Sequence, residues 1–221
     1  MIYLLRFFIL ELKRQSADRH SFLSISLFFL IFLSVALYAF QSEGILSFST
    51  FAGLVWLCIL LSSFLALDFF FEQDEQSGLL DFYLTAPISL AYFIFCRSLS
   101  IWSFLFLPLI LISSFLAALL GFTEVVVFQF GLSLVMGSFI LLSYLSVIAA
   151  LLVGVKQTIY LLGIVLLPLL IPLLLLEMNL AQILQVGEKV DAFLWILGGI
   201  SIMLASVSSY SAAWVLRKSK E

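Results

Sequence analysis

Five of the chain's thirteen carboxylates, Asp68, Glu72, Asp74, Glu75 and Asp81, fall within fourteen positions, in the stretch DFFFEQDEQSGLLDFYLTAPIS that begins at Asp68. Such a run raises three possibilities: metal binding, catalysis and electrostatic docking. The chain has one histidine, His20, so an HExxH or multi-histidine metal site is ruled out, and no GxSxG or EF-hand loop occurs. There is no GxxxxGK[ST], so the chain cannot hydrolyse ATP through a P-loop of its own. No catalytic, cofactor or metal residue is expected. Docking is what remains.

The local pattern suits that use. Ser77 and Gly78 offer a helix start, Asp81 lies near the positive end of the helix dipole, and Pro87 ends the helix by disfavouring the helical conformation at Ala86. Leu79, Phe82, Tyr83 and Ala86 then share one face of about two turns, too small to be stable alone in water. The face must rest on something, either a groove on a soluble partner or the surface of a bilayer. Ser89 can cap a further helix, LAYFIFCR, that leads along the interface.

The elements that position this stretch are apolar. With 64% hydrophobic and only 10% charged residues, and a mean hydropathy of +1.27, the 221-residue chain carries more apolar surface than a soluble core could hide, so it is an integral membrane protein. A crossing helix needs about 20 apolar residues. Charge-free windows predict six spans, at 21–42, 45–68, 99–120, 126–153, 158–177 and 192–215, with a cytoplasmic connection at 69–97 and a tail at 216–221. An even number of spans puts both termini on one side. With the N-terminus inside, Arg6, Lys13, Arg14, Arg19, Arg97, Lys156, Arg217, Lys218 and Lys220 are cytoplasmic and only Lys189 is outside, which predicts N-in and C-in. No cleavage pattern follows the first window, so no cleaved signal peptide is expected.

Residues 1–20 read as a helix lying on the cytoplasmic leaflet. Leu5, Phe8, Ile9 and Leu12 make its apolar stripe, while Arg6, Glu11, Lys13, Arg14 and Asp18 occupy the rest of the wheel. Charge is absent from the spans; Asp68, Glu124 and Glu177 border them, each within reach of an interface, and the outer connection from Glu177 to Asp191 is the longest on its side. Pro108 in the third span and Pro168 and Pro172 in the fifth predict kinks. Ser133, Gly137, Ser146, Ala150 and Gly154 repeat small residues at four-residue spacing along the fourth span and allow close helix approach. Cys58 and Cys96 read as buried or interfacial thiols, and His20 as a solvated interfacial side chain.

Three segments carry a family likeness. ALDFFFEQDEQSGLLDFYLTAPISL resembles the cytoplasmic loop of ABC-2-like permeases, and WLCILLSSFLALD before it, with LLGIVLLPLLIPLLLL in the fifth span, resembles the CcmB family, haem exporter protein B of cytochrome c maturation. The likeness extends over essentially the whole chain. It implies an all-α permease of six membrane helices in an ABC-2-like (type V-like) arrangement, with an N-terminal interfacial helix and a coupling helix between the second and third spans. It further implies a bacterial inner-membrane subunit, in two copies paired with two CcmA ATPase subunits, alongside CcmC, CcmD and the haem chaperone CcmE. ATP and Mg would sit on the ATPase and haem on partner proteins; no nucleic-acid partner is implied.

Carried onto this chain, Glu72, Asp74, Glu75, Gly78, Leu79, Leu80, Asp81, Phe82 and Pro87 would form the ATPase-coupling element. The implied function is either haem export or release of haem-loaded CcmE, and spans free of histidine and charge favour release. Two alternatives are an ABC-2-type exporter for another substrate and an ATPase-independent carrier or enzyme.

Overall fold

The computed structural model describes residues 2–17, 19–42, 46–85, 89–153, 158–187 and 190–219. Pro87, Ala86, Asp18, Gly154, Lys156, Lys189 and Lys220 lie outside the described residues. Among the described residues there is no strand; the chain runs through α1 (Ile2–Ala17), α2 (Arg19–Ser42), α3 (Phe48–Phe64), a 3-10 turn (Leu67–Phe69), α4 (Glu72–Gln76), α5 (Leu79–Thr85), α6 (Leu90–Leu119), α7 (Glu124–Leu152), α8 (Thr158–Val186) and α9 (Asp191–Ser219).

Five stretches are long and apolar enough to cross a bilayer: His20–Phe40, Leu90–Leu119, Glu124–Leu152, Pro168–Val186 and Asp191–Lys218. The chain is a multi-pass membrane protein. The expected second span is shorter than the rest: α3 has 17 residues, about 25 Å at 1.5 Å per residue. Its start is fixed by Ser47, whose hydroxyl accepts from the Thr50 N–H at 3.2 Å. It ends at Phe64, and the 3-10 turn that follows leads to Phe69 and Phe70, whose carbonyls accept from Arg97.

α7 is the centre of the bundle, packed against α6, α8 and α9. It buries Ser133, Ser138, Ser143 and Ser146, whose hydroxyls donate to their own helix's carbonyls at 2.7 to 2.9 Å and so leave no raw donor in an apolar interior. Trp102 Nε1 of α6 donates to Ser138 Oγ at 2.8 Å. At the opposite end from α1, Phe48 meets Phe122 and Phe130 edge-on, with ring centroids 5.1 and 5.4 Å apart. The outer faces of α2 and α9 carry Val35, Tyr38, Trp195, Met203 and Tyr210, an apolar exterior suited to lipid. α6 and α8 run on through Pro108, Pro168 and Pro172 without a break in the helix.

Four expectations need correction. The acidic run ahead of α5 is itself helical, as α4. Ser89 precedes α6 but its side chain makes no cap; the helix simply begins at Leu90 and continues to Leu119. α8 extends to Val186, so Glu177 does not end the helix: it lies nine residues before that end and is 2% exposed. Finally, the polar face of α1 is not solvated throughout: Glu11 and Gln15 are buried, while Lys13, Ile9 and Leu10 are exposed. The cause is the ionic site beneath α1.

Candidate functional site

The site is the α4–α5 segment with the side chains that moor it. Arg97 is on the second turn of α6, 1% exposed, and all three of its guanidinium nitrogens are used. Nε donates to the Phe70 carbonyl at 3.1 Å, Nη2 to the Phe69 carbonyl at 2.6 Å, and Nη1 to Glu11 Oε1 at 2.5 Å. Nη1 also lies 3.4 Å from Asp74 Oδ2. The other Asp74 oxygen accepts from Arg14 Nη2. Two carboxylates and two guanidinium groups therefore balance, and one cluster ties α1, the 3-10 turn, α4 and α6 together.

This arrangement is mechanical. Burying charges costs several kcal/mol per ion unless each is paired and hydrogen-bonded, so a neutral, well-paired cluster fixes position more than it adds stability. Arg suits the task because its planar fork reaches two carbonyls and a carboxylate at once. Burial works against the Arg14 charge, but its hydrogen bond to Asp74 and the charges of Asp74 and Glu11 outweigh that and raise its pKa overall.

Gly78 makes the corner between α4 and α5 with a φ of +73°, a left-handed conformation that suits glycine. Ser77 closes α4, its hydroxyl donating to the Asp74 carbonyl at 3.3 Å. Beyond the corner, α5 divides its side chains sharply. Leu80 is fully buried, and Tyr83 stacks on Phe93 of α6 with centroids 4.0 Å apart and planes at 24°. Leu79 and Phe82, one turn apart, point the other way and are 38% and 65% exposed. Burial, followed by the charge of Glu11, raises the Tyr83 phenol above the usual tyrosine range.

The nine residues expected to couple are thus sorted by the fold. Leu79, Asp81, Phe82 and Gly78 are at the surface, and Glu72 and Glu75 are half-buried, with Gln76 Nε2 donating to Glu72 Oε1 at 3.3 Å. Asp74 and Leu80 face inward and are inaccessible to a partner. Pro87 lies outside the described residues. Arg97, Glu11 and Arg14 had been read only as topology markers or as a lying helix's polar face. The available signal was Arg97, a lone cation opening a long apolar helix eight residues past Ser89. His20 is exposed at the start of α2, and Cys58 and Cys96 are buried free thiols. Among the described residues no group of three or more His, Cys, Asp or Glu could hold a metal ion.

Comparison with known proteins points one way. The family model for "CcmB protein" matches residues 2–219. The chain is 30% identical over 190 residues to "Heme exporter protein B" of Rhodobacter capsulatus, covering 86% of this chain and 87% of that one. It is 30% identical over 186 residues to the protein of that name from Pseudomonas aeruginosa, covering 84% and 83%. The protein of that name from Escherichia coli (strain K12) is 33% identical over 211 residues, covering 95% and 96%.

Proposed function

The chain belongs to the CcmB protein family, and on that premise we propose that it is the membrane subunit of a haem export complex in c-type cytochrome biogenesis, driven by a separate ATPase that docks on α5. The observation that carries the reading is the outward pair Leu79 and Phe82 on a helix whose other side is anchored. An exposed apolar pair on a seven-residue helix has little stability of its own, so it suits a socket on a partner. Glu72, Glu75 and Asp81 flank that pair and supply the electrostatic part of the contact. Asp74 and Leu80 do not touch the partner. They pass its displacement to the cluster, and through Arg14 and Arg97 to α1 and to the head of α6 at the same time.

The remaining assignments follow from the same reading. α3 with its 3-10 extension, residues 48–69, makes the sixth crossing. The basic residues place α1, α4, α5 and both termini in the cytoplasm of a bacterial inner-membrane protein, and Ile9 and Leu10 rest on the lipid surface. Two copies pair with two CcmA subunits, which carry ATP and Mg, and CcmC, CcmD and CcmE handle haem. Within this reading the stroke serves either haem passage or release of haem-loaded CcmE. The one imidazole of the chain, His20, is outside the bundle interior, which favours release. Glu177 removes the other support for that preference, since the spans are not free of carboxylates.

The test is the double substitution Leu79→Asp and Phe82→Asp. Membrane insertion should be retained and co-purification of the ATPase lost; intact co-purification would refute the docking assignment. An ABC-2-type exporter of another substrate would keep the docking but leave c-type cytochrome assembly unaffected by the double substitution. An ATPase-independent carrier or enzyme would be active as the purified chain alone.

A further inference from the structure

Glu177 is a carboxyl group buried in the bundle, and among the described residues no cation pairs with it. It is 2% exposed, on α8, between α3 and α7, and neither of its oxygens is in a hydrogen bond of normal geometry. Its polar neighbours are the indole N–H of Trp56, also buried without an acceptor, and the hydroxyl of Ser133. On the remaining side is Gly137, where an added Cβ would overlap both Glu177 Oε1 and the Trp56 ring. The elements packed against it bring no charge to its depth. α3 contains one ionisable group, the buried Cys58, and α7 contains the exposed Glu124 in its first turn and the half-buried Tyr144 two turns beyond Gly137.

The donor and acceptor inventory decides what this pocket accepts. Trp56 Nε1 can only donate. In this structure Ser133 donates its hydroxyl hydrogen to the Phe130 carbonyl at 2.9 Å, and with the hydroxyl turned that way its oxygen faces Glu177 as an acceptor. An ionised carboxylate, which only accepts, matches the indole and is mismatched with the serine. A neutral acid matches both, its carbonyl oxygen accepting from Trp56 and its O–H donating to Ser133. A metal or alkali cation would need a shell of several oxygen ligands, and here the wall is an indole and a glycine.

We propose that Glu177 is a proton-binding site of the membrane domain, holding one proton taken from water as the neutral acid between Trp56 Nε1 and Ser133 Oγ. The bound proton lets α8 close on α3 and α7; its loss leaves a bare carboxylate against an indole ring and a glycine, with nothing in the three helices to compensate it. The site is independent of the docking surface on α5, and its test needs no ATPase.

The test is infrared difference spectroscopy of the full-length chain in lipid at neutral pH. Wild type minus Glu177→Gln should show the carbonyl band of a protonated carboxylic acid, shifting in heavy water; a carboxylate signal alone would overturn the proposal. Trp56→Phe keeps the acid and removes one donor, so the band should move to higher frequency, and Ser133→Ala should move it as well. An unmoved band in both variants would also overturn the proposal, and this second reading, taken as wild type minus Trp56→Phe and wild type minus Ser133→Ala, does not use Glu177→Gln.

Discussion

Arg97 Nη1 donates to Glu11 Oε1 at 2.5 Å across 86 positions of sequence, with both side chains almost fully buried. That bond joins the first helix to the entrance of a long membrane helix, and the same guanidinium holds the turn that leads to α4. A displacement of α4 and α5 therefore cannot be absorbed locally.

Replacing Arg97 by Met should be among the most damaging single changes in the chain. It leaves Glu11 and Asp74 buried and orphans two carbonyls, and breaking a buried pair from one side costs about 3–5 kcal/mol. Purified Arg97→Met should unfold at a clearly lower temperature and be cut readily by protease in residues 65–78. Arg97→Lys should restore little, since an ammonium cannot reproduce the fork. Unchanged melting and cleavage would show that the cluster is not a mooring.

Gly137→Ala tests the close approach of α7 to α3 and α8. The new methyl would sit 2.5 Å from Trp56 Cη2, and forcing an extra carbon into a packed core costs about 1–3 kcal/mol. A melting temperature lowered in this variant, and not in Gly199→Ala, where a Cβ meets nothing within 4 Å, is the expected result.

Much of this was legible in the sequence, and the rest was hidden for identifiable reasons. The apolar windows mark the membrane helices because length and charge exclusion are local properties. The pairing of Glu11 and Asp74 with Arg97 links residues 86 and 23 positions apart, so no local pattern contains it, and the wheel of α1 was read with its charged residues solvated. The spacing of Leu5, Phe8, Ile9 and Leu12 in the sequence is that of a stripe; what periodicity omits is that Glu11 on the same helix pairs with the buried Arg97. Glu177 was taken for a boundary because the charge-free window stops there. The following MNLAQILQV keeps helical spacing, burying Leu180, Ala181 and Leu184, and Gln185 Oε1 accepts from the Ser49 N–H at 3.2 Å.

Alkaline pH should loosen α5. The Tyr83 phenol is raised above the ordinary value of about 10, first by burial and then by Glu11, so the folded chain favours the neutral ring. A raised value contributes stability that is complete below the unfolded value and is lost as pH rises through the folded one. Relative to Tyr83→Phe, wild type should lose ground above about pH 10, followed by urea unfolding. A pH-independent difference would contradict this.

The most direct measurement is site-specific photo-crosslinking in cells that also carry the ATPase, with the reactive side chain placed at position 82, 74 or 203. Position 82 should give an adduct with the ATPase, while 74, inside the ionic cluster, and 203, on the outer face of α9, should give none. An adduct absent at 82, or equally strong at 203, would contradict docking on α5.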